Sequence, residues 1–193
     1  NLWTIMTCGK FVVSLDFELL WGVRDKRTIQ SYGENLRGVH QAIPRLLSLF
    51  DKYQIKGTFA TVGFLFFETK EELLANIPKT IPTYTNTELS PYQGHFNLLG
   101  ENYIEDVYHF APQLINEIKK YPEQEISTHT FSHYYCLENG QTKENFKADI
   151  EAALHIAEKN GIVITSLVFP RNQFNEVYIN IIKELGLNSY RGN

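Results

Sequence analysis

Short runs rich in β-branched and aromatic residues alternate with longer amphipathic stretches along this chain, and no other feature restricts its fold as much. KFVVSLDF at 10–17 has the length of a strand. GVHQAIPRLLSLFDKY at 38–53 follows, with Val39, Ile43, Leu46, Leu47 and Phe50 at helical spacing. Pro44 falls inside that pattern, so the spacing predicts a helix that begins or kinks there. GTFATVG at 57–63 reads as a second strand and residues 70–77 as a short helix. A helix pattern over 104–120 ends in two lysines, which suit the negative end of the helix dipole. QEISTHT at 124–130 is a third strand. Residues 142–160 form the strongest helix pattern, with Thr142 as N-cap and Gly161 as stop. SLVF at 166–169 is a fourth strand, 175–185 another helix, and 188–191 opens a fifth strand. Strands joined by crossover helices pair in parallel, so the chain is of the α/β class, either an open doubly wound sheet or a barrel.

Residues 78–102 break the alternation. They hold three of the seven prolines, with many Thr, Asn and Gly, and read as an irregular insertion suited to substrate contacts. At 193 residues, 43% hydrophobic and 21% charged, the chain 1–193 fits one globular domain carrying such an insertion. Its 18 basic residues never cluster and its net charge is −4, which argues against nucleic acid or an anionic membrane as partner. Apolar runs such as GFLFF at 63–67 are far too short for a membrane span. The 13 Phe and 11 Tyr serve core packing first, leaving some to line a sugar-binding groove. Cys8 and Cys136 match no metal-ligand spacing and read as free buried thiols of a reducing compartment, with a single disulfide left open. The lack of a visible secretory signal points to the cytoplasm, although the chain opens on Asn rather than Met.

In parallel α/β folds the ligand site forms at the C-terminal ends of the strands. Here those ends carry Asp16-Phe17-Glu18, His129, and Pro170-Arg171-Asn172. His129 and His133 have the spacing HxxxH; if residues 130–134 turn into a helix, both imidazoles reach one cation. Asp16 and Glu18 stand two apart on an apolar strand, where acidic residues are disfavoured without solvent, a partner or a metal. One carboxylate pairing with Arg171 or Arg24 is the structural alternative. Two histidines and a carboxylate with an open position suit a catalytic divalent cation, zinc first, with cobalt, nickel or iron also served. The second carboxylate would take a proton from water.

These motifs make the chain resemble the polysaccharide deacetylases, the NodB-homology domain of carbohydrate esterase family 4. S-L-D-F-E at 14–18 looks like the family's T-F-D-D-G, and S-T-H-T-F-S-H at 127–133 like its H-[ST]-x-x-H. K-G-T-F-A-T-V-G at 56–63 resembles the strand between them, and V-F-P-R-N at 168–172 stands in place of R-x-P-[YF]. The resemblance implies a deformed (β/α)7 barrel and hydrolysis of an N-acetyl or O-acetyl group on a sugar, and the lack of a visible signal points to a role in surface polysaccharide biosynthesis. It places Asp16 as general base and His129 and His133 as metal ligands. The family's second Asp falls on Phe17, so Glu18 takes the third ligand position, with the roles of Asp16 and Glu18 open to exchange. Arg171 would pair with Asp16, and main-chain N–H groups near Asn172 and Gln173 would form an oxyanion hole. The family's later motifs, with its general-acid histidine, are not visible, and the barrel is expected to be incomplete at the C-terminus. His95 and His109, the unassigned histidines near loops, read as structural or exposed. A metal-independent cyclic-amide hydrolase and a non-catalytic carbohydrate-binding domain are the alternatives.

Overall fold

The computed structural model describes residues 11–192. Cys8 therefore lies outside the described residues. Five strands, β1 (Val13–Phe17), β2 (Gly57–Thr61), β3 (Glu125–Thr128), β4 (Ser166–Val168) and β5 (Ser189–Arg191), pair in parallel in the order β1-β2-β3-β4-β5. A doubly wound sheet reverses its strand order part-way. This one never does, so it is singly wound and curls into a half-barrel, consistent with an incomplete deformed (β/α) barrel. The sides of β2, β3 and β4 are almost wholly buried, as expected of parallel strands covered on both faces, whereas β1 and β5 form the open edges.

Helix α1 (Ile29–Tyr53) begins well before the 38–53 span read from the sequence and runs through Pro44. Its start is held by a capping box between Thr28 and Ser31, and Gly33, Leu36, Ile43, Leu47 and Phe50 form its buried stripe. That packing outweighs the main-chain bond Pro44 cannot make. The opposite correction applies to 104–120: only α3 (Pro112–Lys119) is helical. Pro112 disfavours helical backbone at Ala111, and the Asp106 carboxylate draws the N–H groups of Tyr108 and His109 into a turn instead. Helix α2 (Lys70–Ala75) is short, and α4 (Lys143–Lys159) is capped by Thr142 as expected. The last helical pattern divides into a 3₁₀ turn at Glu176–Tyr178 and α5 (Ile179–Glu184). Among the described residues no helix is long and apolar enough to cross a membrane.

The insertion has a closed neck, where Thr69 bridges Asn102 and the N–H groups of Lys70 and Tyr103 donate to Glu101 and Glu68. Its body is irregular, with 3₁₀ turns at Thr87–Leu89 and His95–Leu98. It folds back over the loop that follows β3. Tyr84, Leu89 and Tyr135 make a small apolar cluster of their own, and the Tyr135 N–H donates to the Tyr84 hydroxyl at 2.9 Å.

Candidate metal centre

Glu18, His129 and His133 converge at the C-terminal ends of β1 and β3. Nε2 of His129 lies 3.1 Å and Nε2 of His133 2.9 Å from the same oxygen, Oε2 of Glu18. The histidines are buried, while the Glu18 side chain keeps 25% of its surface, so the triad opens to solvent on the carboxylate side. The two imidazoles do not meet through a helical turn. Residues 129–136 form a loop in which Thr130 (φ 65) and His133 (φ 56) adopt left-handed backbone. Asp149, reaching from α4, accepts the N–H of Phe131 at 2.7 Å, the N–H of Ser132 at 3.2 Å and the Ser132 hydroxyl. Thr130 Oγ1 takes the N–H of Tyr134 at 2.7 Å. Side chains thus take up the N–H groups of Phe131, Ser132 and Tyr134 without helix.

Two glycines allow the close approach. A Cβ on Gly22 would sit 2.0 Å from Cδ of Glu18, and one on Gly63 would sit 2.9 Å from the Phe131 main chain. Of the six described non-glycine residues with positive φ, all but Gln54 (Leu19, Thr130, His133, Arg171 and Asn172) lie within four residues after a strand or in this loop. Left-handed backbone costs about 1–3 kcal/mol per residue and gathers at functional sites.

Hydrogen bonding sets the electrostatics. Nδ1 of His129 lies 2.8 Å from the Val168 carbonyl, an acceptor only, so Nδ1 carries a hydrogen and Nε2 is the nitrogen turned toward Glu18. Nδ1 of His133 meets the Tyr135 hydroxyl at 3.1 Å. Burial pushes His133 down to about 3 against the opposing hydrogen bond to Glu18. Burial raises the Glu18 carboxyl, but its bonds to His129 and His133 prevail and hold it well below the usual carboxylate range. Two ring nitrogens within 3.1 Å of one carboxylate oxygen either donate hydrogen bonds to it or, with those hydrogens gone, present a ligand set to a cation. The ligand atoms lie within 4.8 Å of one another, and tetrahedral zinc sets its nitrogen and oxygen ligands about 3.4 Å apart. The residues fit the group.

The remaining expected site residues are placed differently. Asp16 is exposed and pairs with Arg191 of β5 at 2.6 Å, not with Arg171. Arg171 grips Asp25 with both terminal nitrogens, one at 3.0 Å, and lies 4.7 Å from the centroid of the Tyr135 ring. It follows β4 on a left-handed backbone, which aims it across at the turn after β1. The donors expected to form an oxyanion hole have partners of their own. The N–H groups of Asn172 and Gln173 donate at 3.0 Å to the carbonyls of Phe169 and Pro170, because the segment closes into a 3₁₀ turn. The Gln173 side chain is taken up by Leu137 and Glu138. Phe17 joins the core. Cys136 is a free buried thiol that donates to the Gln173 carbonyl, and burial pushes it up to about 12. Asp149, Tyr135, Gly22 and Arg191 escaped the sequence reading. Asp149 alone left a sign there, an acidic residue on the apolar face of α4 between Phe146 and Ile150.

The sequence profile described as Polysaccharide deacetylase matches residues 32–190. The chain belongs to the polysaccharide deacetylase family. The match takes in both histidines but begins after Glu18, which the geometry ties to them. A candidate polysaccharide deacetylase from Mycobacterium smegmatis is similar over 91% of this chain and 48% of its own, at 16% identity and a TM-score of 0.55. The Streptococcus pyogenes deacetylase PplD, solved with acetate, covers 91% and 52%, at 9% identity and a TM-score of 0.51. A mutant of a Bacillus anthracis family 4 pseudoenzyme, with restored enzymatic activity, covers 93% and 43%, at 13% identity and a TM-score of 0.50. These likenesses establish the fold, and the chain spans about half the length of the structures it matches. No curated protein sequence matches it.

Proposed function

We propose that this polysaccharide deacetylase relative is a metal-dependent hydrolase that removes an acetyl group from an N-acetylated or O-acetylated sugar of a polysaccharide or its precursor. One observation carries the reading: two buried imidazoles aim Nε2 at a single oxygen of Glu18, and the other nitrogen of His129 is already committed to Val168. Glu18, His129 and His133 would hold a divalent cation, zinc by the donor set, with cobalt, nickel or iron accepted by the same ligands. Bound there, the cation supplies a Lewis acid and draws the pKa of water from about 15.7 toward about 7. Asp16, exposed at the end of β1 and oriented by Arg191, accepts the proton of the attacking water. The Val168 carbonyl and the Tyr135 hydroxyl keep the two histidine rings oriented throughout. Arg171 acts at one remove, by fixing Asp25 and covering the Tyr135 ring.

One observation favours a second reading, a glycan-binding domain without turnover: the main-chain donors at 172 and 173 are consumed within their own turn. The zinc-loaded chain assayed for acetate release from N-acetylglucosamine oligomers separates the two. We expect release that a chelator abolishes, and a His133→Ala variant that loses metal and activity together while keeping its circular dichroism. Bound metal with no acetate selects the binding domain; acetate release from metal-free protein sinks the mechanism and favours metal-independent amide hydrolysis.

A further inference from the structure

Residues 81–90 of the insertion lie against the loop that carries His133. The N–H groups of Thr83 and Thr85 donate at 2.8 and 2.9 Å to the carbonyls of Gly140 and Asn139. The Asn145 side chain, at the start of α4, donates to the Ile81 carbonyl at 3.0 Å. At the other end the Arg24 guanidinium bridges the carbonyls of Leu89 and Trp21, which ties the insertion to the turn after β1. Between these ties Thr83 and Thr85 are exposed and Tyr84 is buried, the alternation of an extended segment that turns one ring inward. That ring packs against Tyr134 and Tyr135, with centroids at 5.9 and 6.1 Å. Gly140 permits the close approach: its φ is 90°, and a Cβ there would lie 2.0 Å from the Thr83 carbonyl oxygen. Tyr135 is the point where this segment meets the metal ligands. Its N–H donates to the Tyr84 hydroxyl at 2.9 Å, while its own hydroxyl lies 3.1 Å from Nδ1 of His133. Tyr84, Leu89 and Tyr135 form a cluster apart from the main core, so their contacts can open without opening the sheet.

We propose that residues 81–90 act as a strap and that Tyr84 is a positioning residue for His133, working through Tyr135, so that docking of the insertion and binding of a divalent cation favour one another. The proposal rests on Glu18, His129 and His133 as cation ligands, not on the identity of the substrate. Tyr135 is fully buried, so its N–H cannot turn to water in place once the Tyr84 hydroxyl is gone. It regains a partner only if the main chain at 135 moves outward, and that movement draws the Tyr135 hydroxyl away from His133. The His133 ring then loses its outer hydrogen bond, and its own left-handed backbone, at φ 56°, is a conformation that persists only where surrounding contacts hold it. Glu18 and His129 are held from β1 and from Val168 and do not depend on the strap. One ligand of three is therefore under the control of the insertion.

Calorimetric titration of the full chain with zinc, with amide hydrogen exchange followed in parallel, tests this. Tyr84→Phe keeps the packed ring and removes only the acceptor. It should bind zinc about three- to tenfold more weakly than wild type, the value of one hydrogen bond, with circular dichroism unchanged. Gly140→Ala, which pushes the strap off at Thr83 without touching either tyrosine, should weaken zinc in the same direction. Coupling between two equilibria is reciprocal, so zinc should slow exchange of the Thr83 and Thr85 amides in wild type by a like factor. In Tyr84→Phe, where the link is cut, zinc should leave those two amides unchanged, a difference that a purely stabilising role would not produce. Equal zinc affinity in wild type and both variants, or the same response of these amides to zinc in wild type and Tyr84→Phe, overturns the proposal. No binding of zinc by wild type removes the metal site and the strap's role with it. Acetate release from N-acetylglucosamine oligomers is read separately. Weakened zinc in the variants with no acetate from wild type refutes the deacetylase reading and leaves the strap standing; acetate release with equal zinc affinity in all three proteins does the reverse.

Discussion

Nδ1 of His129 lies 2.8 Å from the carbonyl oxygen of Val168, across the junction of β3 and β4, and that contact decides which nitrogen is free to bind a cation. A ligand's orientation is therefore fixed by main chain from the neighbouring strand, a constraint no side-chain substitution at 168 can remove.

Gly22 gives Glu18 room. The added carbon of Gly22→Ala would lie 2.0 Å from Cδ of Glu18, so the carboxylate must leave its position between the histidines. We expect zinc affinity by equilibrium dialysis to fall at least about tenfold, or about 1.4 kcal/mol, with the melting temperature nearly unchanged. Full affinity would remove Glu18 from the ligand set.

Tyr135 orients His133 through its hydroxyl, with Arg171 and Arg24 at 4.7 and 5.4 Å from its ring centroid. Tyr135→Phe keeps the ring and deletes the bond. Losing an outer partner of a metal ligand typically costs 10–100-fold in affinity, and about tenfold is expected here. An unaltered zinc isotherm would show that the hydroxyl does not position the imidazole.

Asp149 makes stability depend on pH. Burial pushes its carboxyl up from 3.8 to about 6, against the bonds from Ser132 and Phe131. The folded state therefore holds the proton more tightly than the unfolded chain. The stabilisation is complete below 3.8 and is lost as pH rises through about 6. Urea unfolding across that window should show wild type losing up to about 3 kcal/mol relative to Asp149→Asn, which cannot titrate. Parallel curves would place the Asp149 carboxyl outside this range.

Arg191 orients Asp16 from the edge strand. The pair is more than one-third exposed, so Arg191→Ala should change stability by less than about 1 kcal/mol. If Asp16 is the base, kcat for acetate release should fall about 10–100-fold while KM holds, because a misplaced base costs the chemical step. Equal kcat in the variant would remove Asp16 from the reaction.

How far the sequence could be read follows from how local each feature is. The five strands and the α4 boundaries were legible because they depend on side-chain period and on a cap, Thr142, within the same segment. The failures at 104–111 and at the start of α1 arose where one group overrode the pattern: Asp106 turning the chain in the first, the Thr28–Ser31 box extending it in the second. The histidine pair was visible by spacing. Its route to convergence was not, because left-handed backbone at Thr130 and His133 is stabilised by Asp149 from a later helix.

By itself the sequence determined the α/β class, the order of elements, and a candidate cation site of His129, His133 and a carboxylate at the end of β1, since residue type and strand-end position suffice for those; that Glu18 rather than Asp16 meets the histidines is tertiary. Only the tertiary structure decided that the sheet winds in one direction, that Arg191 rather than Arg171 meets Asp16, that the donors at Asn172 and Gln173 are already bonded, and that His95 leans on His109 and Asp106. The reason is geometric. Each of these depends on side chains or main-chain groups brought together by strand register and by a loop folding over the sheet, and a periodicity along one segment carries no record of its neighbours.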